Sequence, residues 1–131
     1  MLRITKIADY GFNLLVHMAS QGQDLLHNAK DLSAAVDIPL PTVSKVLKIL
    51  TQGGILSSHQ GSKGGYSLAR PASKITAVEI LEVIEGPVAI TDCSSAKGCE
   101  RKCPVGPSWQ KVNGSVIRVL KKLTLADMAK G

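Results

Sequence analysis

Aromatic residues are almost missing from this sequence of 131 residues: Tyr10, Phe12, Tyr66 and Trp109 are the only four. Any core must therefore be aliphatic, assembled from Leu, Ile, Val and Ala. Long apolar runs are also missing. No uncharged stretch nears the ~20 residues that a membrane-spanning helix needs. The opening segment MLRITKIADYG holds no apolar run of the kind a secretory signal requires. A cytoplasmic protein with no membrane partner is expected. No HExxH, no Ser/His/Asp order and no paired-carboxylate motif occurs, and His17, His27 and His59 are all remote in sequence from the cysteines. Nothing here singles out an enzyme. Cysteine is scarce and unevenly placed: Cys93, Cys99 and Cys103 fall within eleven residues and make an odd count. A secreted disulfide scaffold uses an even number spread along the chain. Three clustered thiols in a reducing compartment point instead to metal or redox chemistry, with a partial disulfide or inert loop thiols as the other readings.

One sign of charge is missing from a long stretch. Between Ile38 and Val78 there is no acid, against five bases: Lys45, Lys48, Lys63, Arg70 and Lys74. The next segment reverses this, with Glu79, Glu82, Glu85 and Asp92 and no base, and Cys93 to Lys122 then carries seven bases and one acid. The net charge of +6 suits a polyanionic partner. The acid-free stretch marks where on the chain such a partner would sit.

What is present reads as a mainly α, winged helix-turn-helix protein. Ile4, Ile7, Ala8, Gly11, Leu14, Leu15 and Met18 recur at helical steps and predict an amphipathic helix of about four turns. Residues 21–28 form a polar loop, and Ala29 to Val36 a short helix. Asp37 to Pro39 makes a turn, and a second helix starts near Pro41, where proline suits a helix start. Its inward face is Val43, Val46, Leu47 and Leu50. Thr42, Ser44, Lys45, Lys48 and Gln52 are left for the other side. Gly53-Gly54 ends it. Two short strands, Ile55 to His59 and Tyr66 to Leu68, flank Gly61-Ser62-Lys63-Gly64-Gly65, whose glycines suit a hairpin turn. Helix, turn, helix and hairpin in that order make a wing. Thr76 and Glu79 form a capping box that opens another helix, stopped by Gly86-Pro87. An irregular cysteine-bearing loop follows. A last helix from about Ser108 to Leu123 carries the narrow stripe Trp109, Val112, Val116, Val119, Leu120 and Leu123, which would bury best against a second subunit. We divide the chain into a winged-helix region, 1–75, and a cysteine loop with dimerisation helix, 76–131, within one compact domain.

The basic helix face is a candidate reader of the DNA major groove, since hydroxyls and lysines reach phosphates and base edges. Taken alone, two lysines on a helix would pass as a solvated face; the neighbouring helix, the wing and the missing acids favour double-stranded DNA. GSKGG is not a nucleotide-binding loop, because the Walker order G-x-x-x-x-G-K-[ST] opening a helix is not met. It serves better as a wing tip at which Ser62, Lys63, Gly64, Gly65 and Tyr66 meet DNA. The spacing Cys93-x5-Cys99-x3-Cys103 allows three thiolates to converge. Lys97, Arg101 and Lys102 beside them would offset the charge of a bound centre. Spacing alone does not separate zinc from an iron–sulfur cluster, both of which take four ligands.

The segments RITKIADYGFNLLVHMA, IPLPTVSKVLKIL, GSKGGYSLARP and ITAVEILEVIEGP, followed by the three-cysteine loop, resemble in order the Rrf family of winged-helix repressors, which includes the IscR and NsrR iron–sulfur sensors. The stretches KGGYSLARP and CPVGPSWQKVN are similar to the branch that regulates the SUF iron–sulfur assembly system. The resemblance covers nearly the whole chain. It implies a homodimer formed through the last helix, and a cluster on Cys93, Cys99 and Cys103. A 2Fe-2S cluster is favoured over a 4Fe-4S one, with zinc as the alternative. Some relatives take the fourth ligand from the first helix of the other subunit, where Asp9 stands here; others take it from a histidine after the last cysteine, which this chain lacks. The gap between the last two cysteines is shorter than the family's usual one. The expected function is a transcription regulator, a repressor of iron–sulfur assembly genes that senses cluster status. The alternative is a winged helix with structural zinc or no metal, answering another signal.

Overall fold

The computed structural model describes residues 4–22, 25–61, 64–88 and 104–130. Six helices and one two-stranded sheet are seen among them: α1 (Lys6–Gln21), α2 (Ala29–Val36), α3 (Leu40–Gln52), β1 (Leu56–His59), β2 (Gly65–Leu68), α4 (Ala77–Glu85), α5 (Gly106–Lys122) and α6 (Leu125–Lys130).

The first three helices build the helix-turn-helix predicted from the sequence. Thr5 caps α1, its hydroxyl accepting from the Ala8 amide at 3.2 Å. Ala8, Gly11, Leu14, Leu15 and Met18 then line its buried face. Ile4, expected on that stripe, precedes the helix and is exposed. Asn28 caps α2 through the Asp31 amide at 2.7 Å. α2 ends at Asp37, which takes the left-handed conformation open to Asp and Asn in tight turns (φ 56°). Only Ile38 and Pro39 then separate this turn from α3. α3 begins at Leu40, with Pro41 at its second position, and buries Val43, Val46, Leu47 and Leu50. The buried set falls on one side because 100° per residue returns positions three and four apart to the same face.

β1 and β2 are antiparallel, with Leu56 opposite Leu68 and His59 opposite Gly65. The inner pair is buried, which fixes the register: a slip of one residue would turn both leucines to solvent. A 3-10 turn, Ala72–Lys74, which the sequence did not reveal, leads to α4. Thr76 caps α4 as expected, accepting from the Glu79 amide at 3.3 Å. The Glu79 carboxylate turns to Arg70, at 2.6 Å, and ties the wing's exit to α4.

α6 was not foreseen. Thr124 and Asp127 form a reciprocal capping box, with both amide-to-side-chain bonds at 3.1 Å. The chain here returns to the body. Ala77 N–H donates to Leu123 O at 2.9 Å and Leu125 N–H to Ile75 O at 2.8 Å. Leu125 is fully buried in the same aliphatic cluster as Leu14, Leu47, Ile75 and Ile80. α6 rests on α1, whereas α5 packs on α4.

Candidate nucleic-acid interface and cysteine segment

The outward face of α3 is the first part of the candidate site. Ser44, Lys45 and Lys48 are exposed and Thr42 is half-buried at the flank. Thr51, the last residue but one of α3, is half-buried, its hydroxyl donating to Leu47 O at 2.7 Å. No acid stands in the first turn, and Pro39 supplies no side-chain cap. Pro41 lies between Lys45 and Lys48 on the helical projection and is exposed too. Leu40 is on the row that leads to Val43 and Leu47, yet it is 42% exposed, because the first turn of α3 projects past the core. Sequence periodicity assigns such a residue to the core; only its place at the helix start hints otherwise.

The wing is the second part. Ser62 and Lys63 lie outside the described residues. Gly64 N–H donates to Gly61 O at 3.0 Å. Both following glycines have steric reasons to be glycine. A Cβ on Gly64 would collide with His59 O, and one on Gly65 would stand 2.6 Å from His27 O, in a backbone at φ +157° that side chains disfavour. Tyr66 is half-buried. Its backbone pairs with Ser58 on one edge and with His27 on the other: His27 N–H to Tyr66 O at 2.8 Å and Tyr66 N–H to His27 O at 2.7 Å. The hairpin is thus pinned to the loop just ahead of α2. Sequence reasoning placed His27 in a plain polar loop, since a single-residue tertiary bridge leaves no periodic signal.

Of the acids that follow the acid-free stretch, Glu79, Glu82 and Glu85 all stand on α4. Glu79 is engaged by Arg70. Glu85 accepts from both the amide and the hydroxyl of Thr5, at 3.0 and 2.6 Å. These bonds hold the start of α1 to the end of α4. Asp9 is exposed one turn beyond Thr5, so it lies at the end of the body from which the chain leaves α4 toward the cysteines. Cys93, Cys99 and Cys103 lie outside the described residues. Among the described residues no group of three metal-ligating side chains is assembled. The donor set that the sequence supplies, three thiolates and a carboxylate, fits an iron–sulfur cluster or zinc in its chemistry.

α5 buries only Gly106 and Asn113, and Asn113 Nδ2 donates to Val88 O at 3.2 Å. Trp109, Val112 and Val119 are exposed, Val119 by 66%. Val112, Ser115, Val116, Val119 and Leu120 line an open hollow of about 380 Å³. An amphipathic helix that leaves its apolar stripe uncovered is unusual for a monomer.

A family model described as "Rrf2: Iron-dependent Transcriptional regulator" matches residues 4–131. The chain belongs to the Rrf2 family. Relatives of this Rrf2 protein include a helix-turn-helix-type transcriptional regulator of Mycobacterium tuberculosis, 30% identical over 133 residues that cover 99% of this chain and 83% of the relative. IscR of Xenorhabdus nematophila is 24% identical over 131 residues, covering 98% and 80%. Among solved structures, CymR, the global cysteine regulator of B. subtilis, superposes with a TM-score of 0.83 at 26% identity, covering 99% of this chain and 98% of that one. T. potens IscR superposes at 0.78 with 26% identity, covering 98% and 87%. The winged helix-turn-helix fold predicted from the sequence is thus the observed one. The family is one of DNA-binding transcription regulators rather than enzymes. Among the described residues, no helix is long and apolar enough to cross a membrane.

Proposed function

We propose that this chain acts as a homodimer which reads operator DNA and reports iron–sulfur status. In this reading Thr42, Ser44, Lys45 and Lys48 of α3 enter the major groove, while Ser62, Lys63, Gly64, Gly65 and Tyr66 of the wing meet the flanking backbone or minor groove. The observation that carries it is the acid-free stretch that the fold lays out as α3 and the wing. The lysines of α3 are exposed on it, and the next three acids, Glu79, Glu82 and Glu85, lie on α4. Cys93, Cys99 and Cys103 would hold a cluster, 2Fe-2S in preference to 4Fe-4S, with Asp9 from the first helix of the other subunit as fourth ligand. Such a cluster supplies a centre whose occupancy follows iron and oxidant levels. The chain's own part is mechanical: the cysteine segment runs from the end of α4, and α4 is bonded to the wing's exit through Glu79 and Arg70. Two states of the segment alter regulation only if they differ in DNA affinity. The genes controlled are those of iron–sulfur assembly, on the resemblance of KGGYSLARP and CPVGPSWQKVN to the SUF regulators. The uncovered stripe of α5 supports the dimer, and a cytoplasmic location follows from the DNA partner.

A second reading is favoured by the superposition on CymR, whose name gives cysteine as its regulatory theme. The same fold then serves a signal other than a cluster, with zinc or no metal on the thiols. Protein isolated without oxygen separates the two. Visible absorption bands with iron and sulfide in equal amounts support the cluster. A colourless protein with stoichiometric zinc, or with no metal, supports the second reading.

A further inference from the structure

We propose that His27 positions the wing for DNA, and that it does so as the neutral imidazole. The inference rests on the reading of the wing as a DNA contact, and it assigns a role to a residue outside the α3 and wing surfaces.

Three elements converge on His27. Its backbone makes both hydrogen bonds to Tyr66 of β2, at 2.8 and 2.7 Å, and these join the hairpin to the body. Its carbonyl is the atom against which Gly65 is packed without room for a Cβ. The next residue, Asn28, caps α2, the first helix of the helix-turn-helix. The segment that holds the wing therefore also starts the DNA-reading unit, and a shift of His27 moves one against the other.

The side chain locks this segment in place. His27 is only 8% exposed, and its ring and the His17 ring on α1 meet edge to face, with centroids 6.0 Å apart. Its Nε2 is buried and has no hydrogen-bond partner among the described residues. The ionisable groups around it are His17 from α1, Asp31 from α2 and Tyr66 from β2. A second proton on the ring would place a charge in this enclosed position beside another imidazole, with Asp31 as the opposing influence. Burial, and next the His17 ring, hold the His27 imidazole below its ordinary value, with Asp31 pulling the other way. The undocked segment takes up its proton near pH 6.5 and the docked one only at lower pH. Docking is thus complete above about 6.5 and is lost as pH falls from there through the docked imidazole's own value.

The sign of the effect separates this from general electrostatics. Acidification adds positive charge to a basic protein, and so tightens ordinary phosphate binding. A wing released by His27 protonation weakens it. The test compares the parent with His27→Gln, which keeps polarity and approximate size without titrating. The probe is a duplex of about three helical turns selected by the protein from a random pool, at fixed ionic strength, between pH 7.5 and 5.5. The parent should lose affinity on acidification, by up to about tenfold per pH unit, the ceiling for one proton. His27→Gln should bind with unchanged or rising affinity. Equal weakening in both proteins, or tightening in the parent, overturns the proposal. Should His27→Gln not fold, amide exchange in the parent decides. Protection of the Tyr66 amide relative to the Leu47 amide should fall between pH 7.5 and 5.5, and a constant ratio overturns it. A parent that binds no DNA at pH 7.5 counts against the DNA reading instead, and the Tyr66 ratio still decides whether His27 holds the wing.

Discussion

At the residue scale, Lys45 and Lys48 divide contact from bystander. Both are exposed on the same face of α3, so neither supports the core and replacing them should leave thermal stability unchanged. Lys45→Ala or Lys48→Ala should weaken DNA binding. For a lysine on phosphate, the logarithmic salt dependence of affinity should fall by roughly one unit and all sequences should suffer alike. Titrations of operator and random duplexes at several salt concentrations check this, and parental affinity and slope in both variants remove α3 from the interface. These lysines were legible in the sequence, because helical periodicity sorts exposed from buried wherever a helix is well covered. Leu40 was not, since it obeys the buried period while lying beyond the core. His27 was not either, because its importance comes from pairing with Tyr66, thirty-nine positions along the chain. Asp127 shows a smaller effect of the same kind. The Thr124 amide and hydroxyl hold its carboxyl below the ordinary carboxylate value. Its contribution to α6 is therefore present above about pH 4 and lost as pH falls through the lowered value. Asp127→Asn should flatten the acid limb of a melting-temperature profile.

At the element scale, helix ends decide what a sequence reveals. Thr76 announces α4 in the sequence; Thr5 and Asn28 cap α1 and α2 in the same way, each accepting from an amide three residues on, but those helices are read from the sequence without their caps. α6 carries the same signature in Thr124-x-x-Asp127, but six residues are too few for a periodic stripe. Two glycines, one just past α3 and one within α5, have opposite consequences. A Cβ on Gly53, at the end of α3, would overlap the side chain of Val83 on α4, so Gly53→Ala should cost about 1–3 kcal/mol by overpacking. A Cβ on Gly114, within α5, would meet only the Arg118 guanidinium at 3.8 Å. Gly114→Ala should then stabilise α5 by about 0.5–1 kcal/mol, through the smaller loss of backbone freedom on folding. Chemical denaturation of the two variants should show midpoints displaced in opposite directions; a common sign would mean that the α3–α4 approach or the course of α5 is misassigned.

At the scale of the whole molecule, α5 leaves the body between two segments that belong to it, α4 and α6. Its uncovered valines are the surface through which a second copy would complete the structure. Val119→Asp places a carboxylate in that stripe without touching the core, and a charge in a dry interface is costly. The variant should sediment as a folded monomer, and its DNA affinity should drop because each half-site alone offers about half the contacts. A parent that is itself monomeric at micromolar concentration would contradict the dimer. The central claim joins the two ends of the molecule: the state of Cys93, Cys99 and Cys103 sets how tightly α3 and the wing hold DNA. The measurement that tests it most directly is the equilibrium affinity of one oxygen-free sample for operator DNA, before and after its iron is removed by a chelator. The account predicts a change of about 5- to 150-fold, the usual span of coupling between sites. Equal affinity in the two states, with iron and sulfide shown to be present and then absent, would contradict it.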